Sequence, residues 1–141
     1  MPHMTESEWR RFLGERPRTA KLATVRKDGR PHVAPVWFAL DGDDLVFTTG
    51  KHTAKGQAIR RDPRVSLCVD DEQPPFAFVI VEGTATLSED LAELRTWATR
   101  IAARYMGEAR ADEFGARNGV PGEMLVRVRP TRVVAATGIS D

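Results

Sequence analysis

Residues 19–40 read TAKLATVRKDGRPHVAPVWFAL, and this stretch decides the fold class. Two runs of small and branched apolar residues flank Lys27-Asp28-Gly29-Arg30. An Asp-Gly pair supplies the backbone that a tight hairpin turn needs, so the runs read as two antiparallel strands. The second strand is unusual. In PHVAPVWFAL, Ala34, Val36, Phe38 and Leu40 face one way, and Val33, Pro35, Trp37 and Ala39 the other. Both faces are apolar, whereas a strand with one face in water alternates with polar residues. The outer row therefore needs a cover: a partner subunit, a planar ligand or one of the chain's own helices.

Outward from this hairpin the pattern continues in strands. LDGDDLVFTTG contains another tight turn and a third strand at about Asp44–Thr49. PRVSLCVDD is a fourth strand, and FAFVIVEGTATL a longer fifth with a bulge expected at Glu82-Gly83. EMLVRVRPTRVVAAT is the last, where Pro130 implies an edge or a bulge. Two helices are predicted outside the basic stretch of residues 50–67. Thr5-x-x-Glu8 is a capping box that starts a short one carrying Trp9, Phe12 and Leu13 on one face. SEDLAELRTWATRIAARYMG is the other, capped by Ser88, stopped by Gly107 and striped by Leu91, Leu94, Ala98, Ile101 and Tyr105. The polar segment 108–122 is expected to be a loop. Six hairpin-linked strands with marginal helices predict a mainly β (α+β) protein, a small six-stranded antiparallel barrel forming a single domain over residues 1–141.

Composition narrows the function classes. The 141 residues are 41% hydrophobic and 29% charged, as in ordinary globular domains and unlike disordered chains. A single cysteine, Cys68, rules out an internal disulfide and reads as a strand thiol. With three histidines and no H-E-x-x-H, a metal site is not expected. The start, MPHMTESEWRRF, is polar and no apolar run suits a membrane helix, so a cytoplasmic protein is expected. A net charge of +1, and a basic stretch without interleaved aromatics, argue against nucleic acid as a partner.

That basic stretch is GKHTAKGQAIRRDPRVSL, residues 50–67, with Lys51, Lys55, Arg60, Arg61 and Arg64 against one acid, Asp62. Thr53 is a good N-cap for a short helix that Asp62-Pro63 ends. Lysines are unfavourable beside the positive end of a helix dipole, so their accumulation there points to an anion, and a phosphate fits. The stretch matches neither a P-loop nor G-x-G-x-x-G.

Taken in order, LATVRKDGRPHVAPVWFALDGDDLVFTT, TAKGQAIRRDPRVSLCV and VEGTATL resemble the pyridoxamine 5′-phosphate oxidase-like, FMN-binding split β-barrel superfamily. The resemblance implies a homodimer with cofactor at the subunit interface. It implies that Lys55 contacts the cofactor phosphate and that Pro35, Val36, Trp37 and Phe38 lie along the ring. It further implies that Phe47, Thr48, Thr49 and Gly50 flank the ribityl chain, and that Phe76 and Phe78 reach in from the neighbouring subunit. The chain is shorter than true pyridoxamine phosphate oxidases and lacks their basic C-terminal segment, so that activity is not expected. It looks more like the short branch that uses the deazaflavin coenzyme F420, whose anionic tail Arg60, Arg61 and Arg64 would follow. The expected function is hydride transfer between F420 and a small organic substrate. The alternatives are an FMN-binding flavoprotein and a non-enzymatic cofactor-binding protein. No catalytic residue is assigned; neither His52 nor Tyr105 has support in the sequence.

Overall fold

The computed structural model describes residues 2–141. Helix α1 (Glu6–Glu15) leads into strands β1 (Ala20–Val25), β2 (Pro31–Val36), β3 (Ala39–Asp41) and β4 (Asp44–Gly50). Helix α2 (Ala54–Arg61), strands β5 (Arg64–Asp71) and β6 (Ala77–Ser88), helices α3 (Leu91–Met106) and α4 (Glu108–Asn118), and strand β7 (Glu123–Thr137) follow. The fold is mainly β with flanking helices, as expected, but among the described residues the strands number seven rather than six.

The extra strand comes from the doubly apolar segment. It breaks at Trp37-Phe38 into β2 and β3, which lie at opposite edges of one antiparallel sheet ordered β2-β1-β5-β6-β7-β4-β3. Two residues thus join the two edges, and the sheet must curl to bring them together. No ladder forms between β2 and β3, so the barrel is split there. The Asp28-Gly29 hairpin forms as predicted, with Arg26 and Arg30 closing it and Gly29 at φ +87°. The Glu82/Gly83 bulge is also present: Glu82 pairs with Arg132 and Gly83 with Pro130, leaving Thr131 as the extra residue.

Alternation along β4 separates two cores. Leu45 and Phe47 point into the barrel with Leu22, Phe38 and Leu67. Val46 points out, where Ala39 and Leu125 join Leu94, Trp97 and Ile101 of α3 in a second cluster. Burying each such side chain contributes about 1.5–3 kcal/mol. Helix α3 therefore covers Ala39 and stacks its Tyr105 on Trp37, which is still 36% exposed; Val33 stays 67% exposed. On α3 itself, Asp90 and not Ser88 is the N-cap, accepting from the Glu93 N–H. Leu91 is exposed, and Trp97 takes its place on the buried face. Arg127 of β7 ties this helix to the β3–β4 hairpin through Glu93, Asp41 and Asp44.

The segment 108–122, expected to be a loop, forms helix α4 over most of its length. Its helix formers Glu108, Ala109 and Arg110 follow Gly107, whose φ of +91° turns the chain out of α3. Gly115 and Gly119 look like helix breakers, yet they let α4 lie close against α3: a Cβ at either would collide with Thr99 or Arg95.

Candidate functional site

A cleft of about 280 Å³ lies where the ends of β2 and β4 meet α2 and the α3–α4 hairpin. Pro35, Val36 and Trp37 form one wall, Thr48 and Lys55 a second, and Ala98, Ile101, Ala102 and Asn118 the third. Backbone periodicity sets the second wall. Thr48 follows Val46 on the outer face of β4, so its hydroxyl sits on the α3 side. Lys55 stands in the first turn of α2, which is fixed by its cap: the Thr53 hydroxyl accepts from the Gly56 N–H at 3.0 Å and donates to Gly50 O at 2.9 Å. Gly56 is required because a Cβ there would collide with the Gly50 carbonyl. That close approach is made to the chain's own backbone.

The candidate residues divide. Pro35, Val36, Trp37, Thr48 and Lys55 are brought together around the cleft. Thr49, Gly50 and Thr53 build the turn beneath it, with Thr49 and Thr53 hydroxyls 3.0 Å apart. Phe38 and Phe47 have fully buried side chains inside the barrel. Phe76 and Phe78 lie elsewhere, in an apolar groove with Cys68, Ile80 and Ile139.

The basic stretch also divides. Lys51 is paired with Glu89, Nζ to Oε1 at 2.9 Å. Arg61 donates to the Val25 carbonyl at 3.2 Å. Arg64 forms a two-point pair with Asp62 at 2.9 and 2.7 Å, and those bonds bring the Asp62 carboxyl down to about 2. Arg64 lines a separate groove of about 600 Å³ with Thr24, Ser66 and Glu82. Among the described residues Lys55 makes no ion pair. Glu123 went unnoticed in the sequence. It pairs with Gly50 across the β4–β7 ladder, and its Oε2 is buried without a hydrogen-bond partner. Burial pushes its carboxyl up, and Lys55 opposes that shift.

The aromatic wall is held from behind. Tyr105 stacks on Trp37 with centroids 5.0 Å apart and planes at 3°, and Phe114 of α4 tilts against the indole at 6.1 Å. The Tyr105 hydroxyl donates to Arg18 O at 2.7 Å and accepts from Phe38 N–H at 3.1 Å. Both its hydrogen-bonding functions are occupied by the fold. Burial, then Asp70, push the Cys68 thiol up, away from a reactive thiolate. Among the described residues no cluster of His, Cys, Asp and Glu has the makings of a metal site, and no helix is long and apolar enough to cross a membrane.

A barrel split between β2 and β3, with a cleft at its rim that carries Lys55, defines a class. Residues 5–135 match the pyridoxamine 5′-phosphate oxidase family, and the chain belongs to that family. It is 34% identical over 97 residues to an F420H(2)-dependent biliverdin reductase of Mycobacterium tuberculosis, covering 67% of each chain. It is 32% identical over 94 residues to a pyridoxine/pyridoxamine 5′-phosphate oxidase of Pseudomonas entomophila; the match takes 63% of this chain but 44% of that relative's length. Among solved structures, an F420 reductase superposes with a TM-score of 0.70 at 32% identity, covering 87% of this chain and 94% of the other. The named relatives are oxidoreductases.

Proposed function

We propose that this protein is a reductase that uses the deazaflavin coenzyme F420 to pass a hydride to a small, electron-poor organic substrate. FMN is the competing cofactor. The observation that carries the proposal is Lys55, which among the described residues makes no ion pair and stands on the wall of a cleft that Pro35, Val36 and Trp37 also line. That combination suits a ligand with a flat ring at one end and an anion at the other. Lys55 would take the phosphate, Thr48 would offer its hydroxyl to the linking chain, and Val36 and Trp37 would bear on the ring. When bound, the deazaflavin supplies the hydride; the chain supplies position and a water-poor wall.

Magnitudes favour a large contribution from the ring. A helix terminus is worth roughly 0.3–1 kcal/mol, and micromolar binding needs about 8 kcal/mol. Burial of apolar surface must provide much of the difference. No carboxylate or imidazole lines the cleft of one copy and the Tyr105 hydroxyl is engaged, so neither is assigned a role in proton transfer.

The proposal includes a homodimer. One copy offers a cleft of about 280 Å³, whereas pockets that enclose a drug-sized ligand run to roughly 300–1,000 Å³. A second copy would complete it. Exposed Val33, together with the groove around Phe76, Phe78 and Ile139, offers apolar surface for that contact. The test is an absorption spectrum after mixing with F420 or FMN and gel filtration, followed by oxidation of the reduced cofactor by electron-poor acceptors. Co-elution of F420 and acceptor-dependent oxidation are expected. Tighter retention of FMN would transfer the assignment to the flavin, and binding without turnover with any acceptor would leave a cofactor carrier.

A further inference from the structure

Besides the Trp37 indole, three polar side chains line the cleft: Thr48, Lys55 and Asn118. The first two serve the linking chain and the phosphate in the proposed function; Asn118 is left without a role. It is the last residue of α4. Phe114, one helical turn earlier, tilts against the Trp37 indole at 6.1 Å, and residues four apart share a helix face. Asn118 therefore meets the cleft beside Trp37, where the ring would bear. Two glycines bring it there: a Cβ at Gly115 would collide with Thr99, and one at Gly119 with Arg95, so α4 meets α3 closely on either side of Asn118. The fold does not call for an amide at this position. Asn is a poorer helix former than Ala. The next residue, Gly119, has φ −87°, so the left-handed turn that favours Asn at a helix end is not formed there. Arg110 and Glu113 of the same helix bond to each other, but among the described residues the half-buried Asn118 side chain makes no hydrogen bond.

We infer that Asn118 reads the edge of the cofactor ring: its amide NH2 donates to a ring carbonyl, and its amide oxygen accepts from the neighbouring ring N–H. Flavin and deazaflavin rings share a uracil-like edge, with an N–H between two carbonyls. A carboxamide carries a donor and an acceptor side by side, so it can meet a carbonyl and the adjacent N–H at two points. The same two-point match lets Asn and Gln read the edge of adenine. Neither of the other two polar side chains can do this. The Lys55 ammonium only donates, and the Thr48 hydroxyl has a single proton. Asn118 is also uncharged, so it does not compete with Lys55 for the phosphate. A few placed polar groups fix the orientation of a ligand whose affinity comes mainly from apolar contact. Asn118 thereby sets how the ring lies against Trp37. This inference rests on the proposed function and deepens it, and it holds for either of the two cofactors.

Methylation of the ring nitrogen between the two carbonyls removes the N–H and leaves the ribityl chain, the phosphate and the charge as they are. FMN is compared with its N-methyl derivative, and the deazaflavin ring carrying a ribityl phosphate with its own N-methyl derivative. All four are titrated by fluorescence against the wild type and Asn118→Ala, with a melting curve to verify folding. For each ring that it binds, the wild type should prefer the unmethylated form by about tenfold, the scale of one or two neutral hydrogen bonds. Asn118→Ala should bind the unmethylated form about tenfold more weakly than the wild type does, and the two forms within about threefold of each other. A wild type that binds the methylated form as tightly as the unmethylated one overturns the inference and leaves the proposed function standing, whether or not the variant folds. A preference that survives in Asn118→Ala overturns the assignment to this residue. Failure of both unmethylated rings to bind the wild type would remove the proposed function and this inference together.

Discussion

Tyr105 lies flat against Trp37, 5.0 Å away and within 3° of parallel, and the same tyrosine hydroxyl bridges Phe38 N–H and Arg18 O. One side chain thus fixes the two residues at which the chain crosses from one edge of the sheet to the other. Tyr105→Phe keeps the stack and removes the bridge, leaving the Phe38 N–H without its partner. Urea unfolding should show a loss of about 1–3 kcal/mol. No loss would mean that the crossover is held by packing alone.

The α3–α4 contact is tested through Gly115, where a Cβ would strike the Thr99 hydroxyl. Gly115→Ala should cost about 1–3 kcal/mol by overpacking. Thr99→Ala in the same chain should recover part of it, since residues in contact couple by about 0.5–3 kcal/mol. Additive effects would show that α4 docks otherwise than described.

Much of this architecture was legible in the sequence. The Asp28-Gly29 hairpin, the Thr5 and Thr53 caps and the Glu82-Gly83 bulge follow from local chemistry, and each is present. The break at Trp37-Phe38 was not legible, because apolar alternation runs through it unchanged: Val36 and Phe38 both face the barrel. Period alone does not reveal that a strand has changed partners. Helix α4 was hidden by Gly115 and Gly119, whose cause is the approach of α3. At the site, Lys55 stood out by its place after the cap. The pairing of Lys51 with Glu89 and the placement of Glu123 over Gly50 depend on ladders and turns far apart in sequence.

Oligomeric state is best probed at Val33, which is 67% exposed and outside both cores. Trp37 is a poorer probe because it packs on its own chain's Tyr105. Val33→Glu should shift a dimer to monomer in sedimentation equilibrium at micromolar concentration while leaving the melting temperature of the monomer fold in place. A variant that sediments as the wild-type dimer would move the interface off β2.

Glu123 also makes a prediction about stability and pH. Its carboxyl is raised in the folded protein above the ordinary value of 4.5, chiefly by burial. Folding therefore favours its protonated form. The native state holds more protons than the unfolded chain across the window from 4.5 upward to the raised value, and stability falls as pH rises through it. Glu123→Gln should be more stable than wild type at pH 7.5, with the advantage shrinking toward pH 4. Thermal melts of both proteins across that range give the difference directly; a wild type more stable than the variant at pH 7.5 would mean that the carboxylate is satisfied in solution.

The central claim is that Lys55 receives the phosphate of a deazaflavin in the cleft beside Trp37. The direct measurement is fluorescence titration of reduced F420 against wild type, Lys55→Ala and, as a control on the exposed hairpin turn, Lys27→Ala. Loss of a charged hydrogen bond should weaken binding to Lys55→Ala by about 1.5–3 kcal/mol, while Lys27→Ala binds as the wild type does. Equal and small effects of the two substitutions, or no binding of F420 to the wild type, would contradict the account.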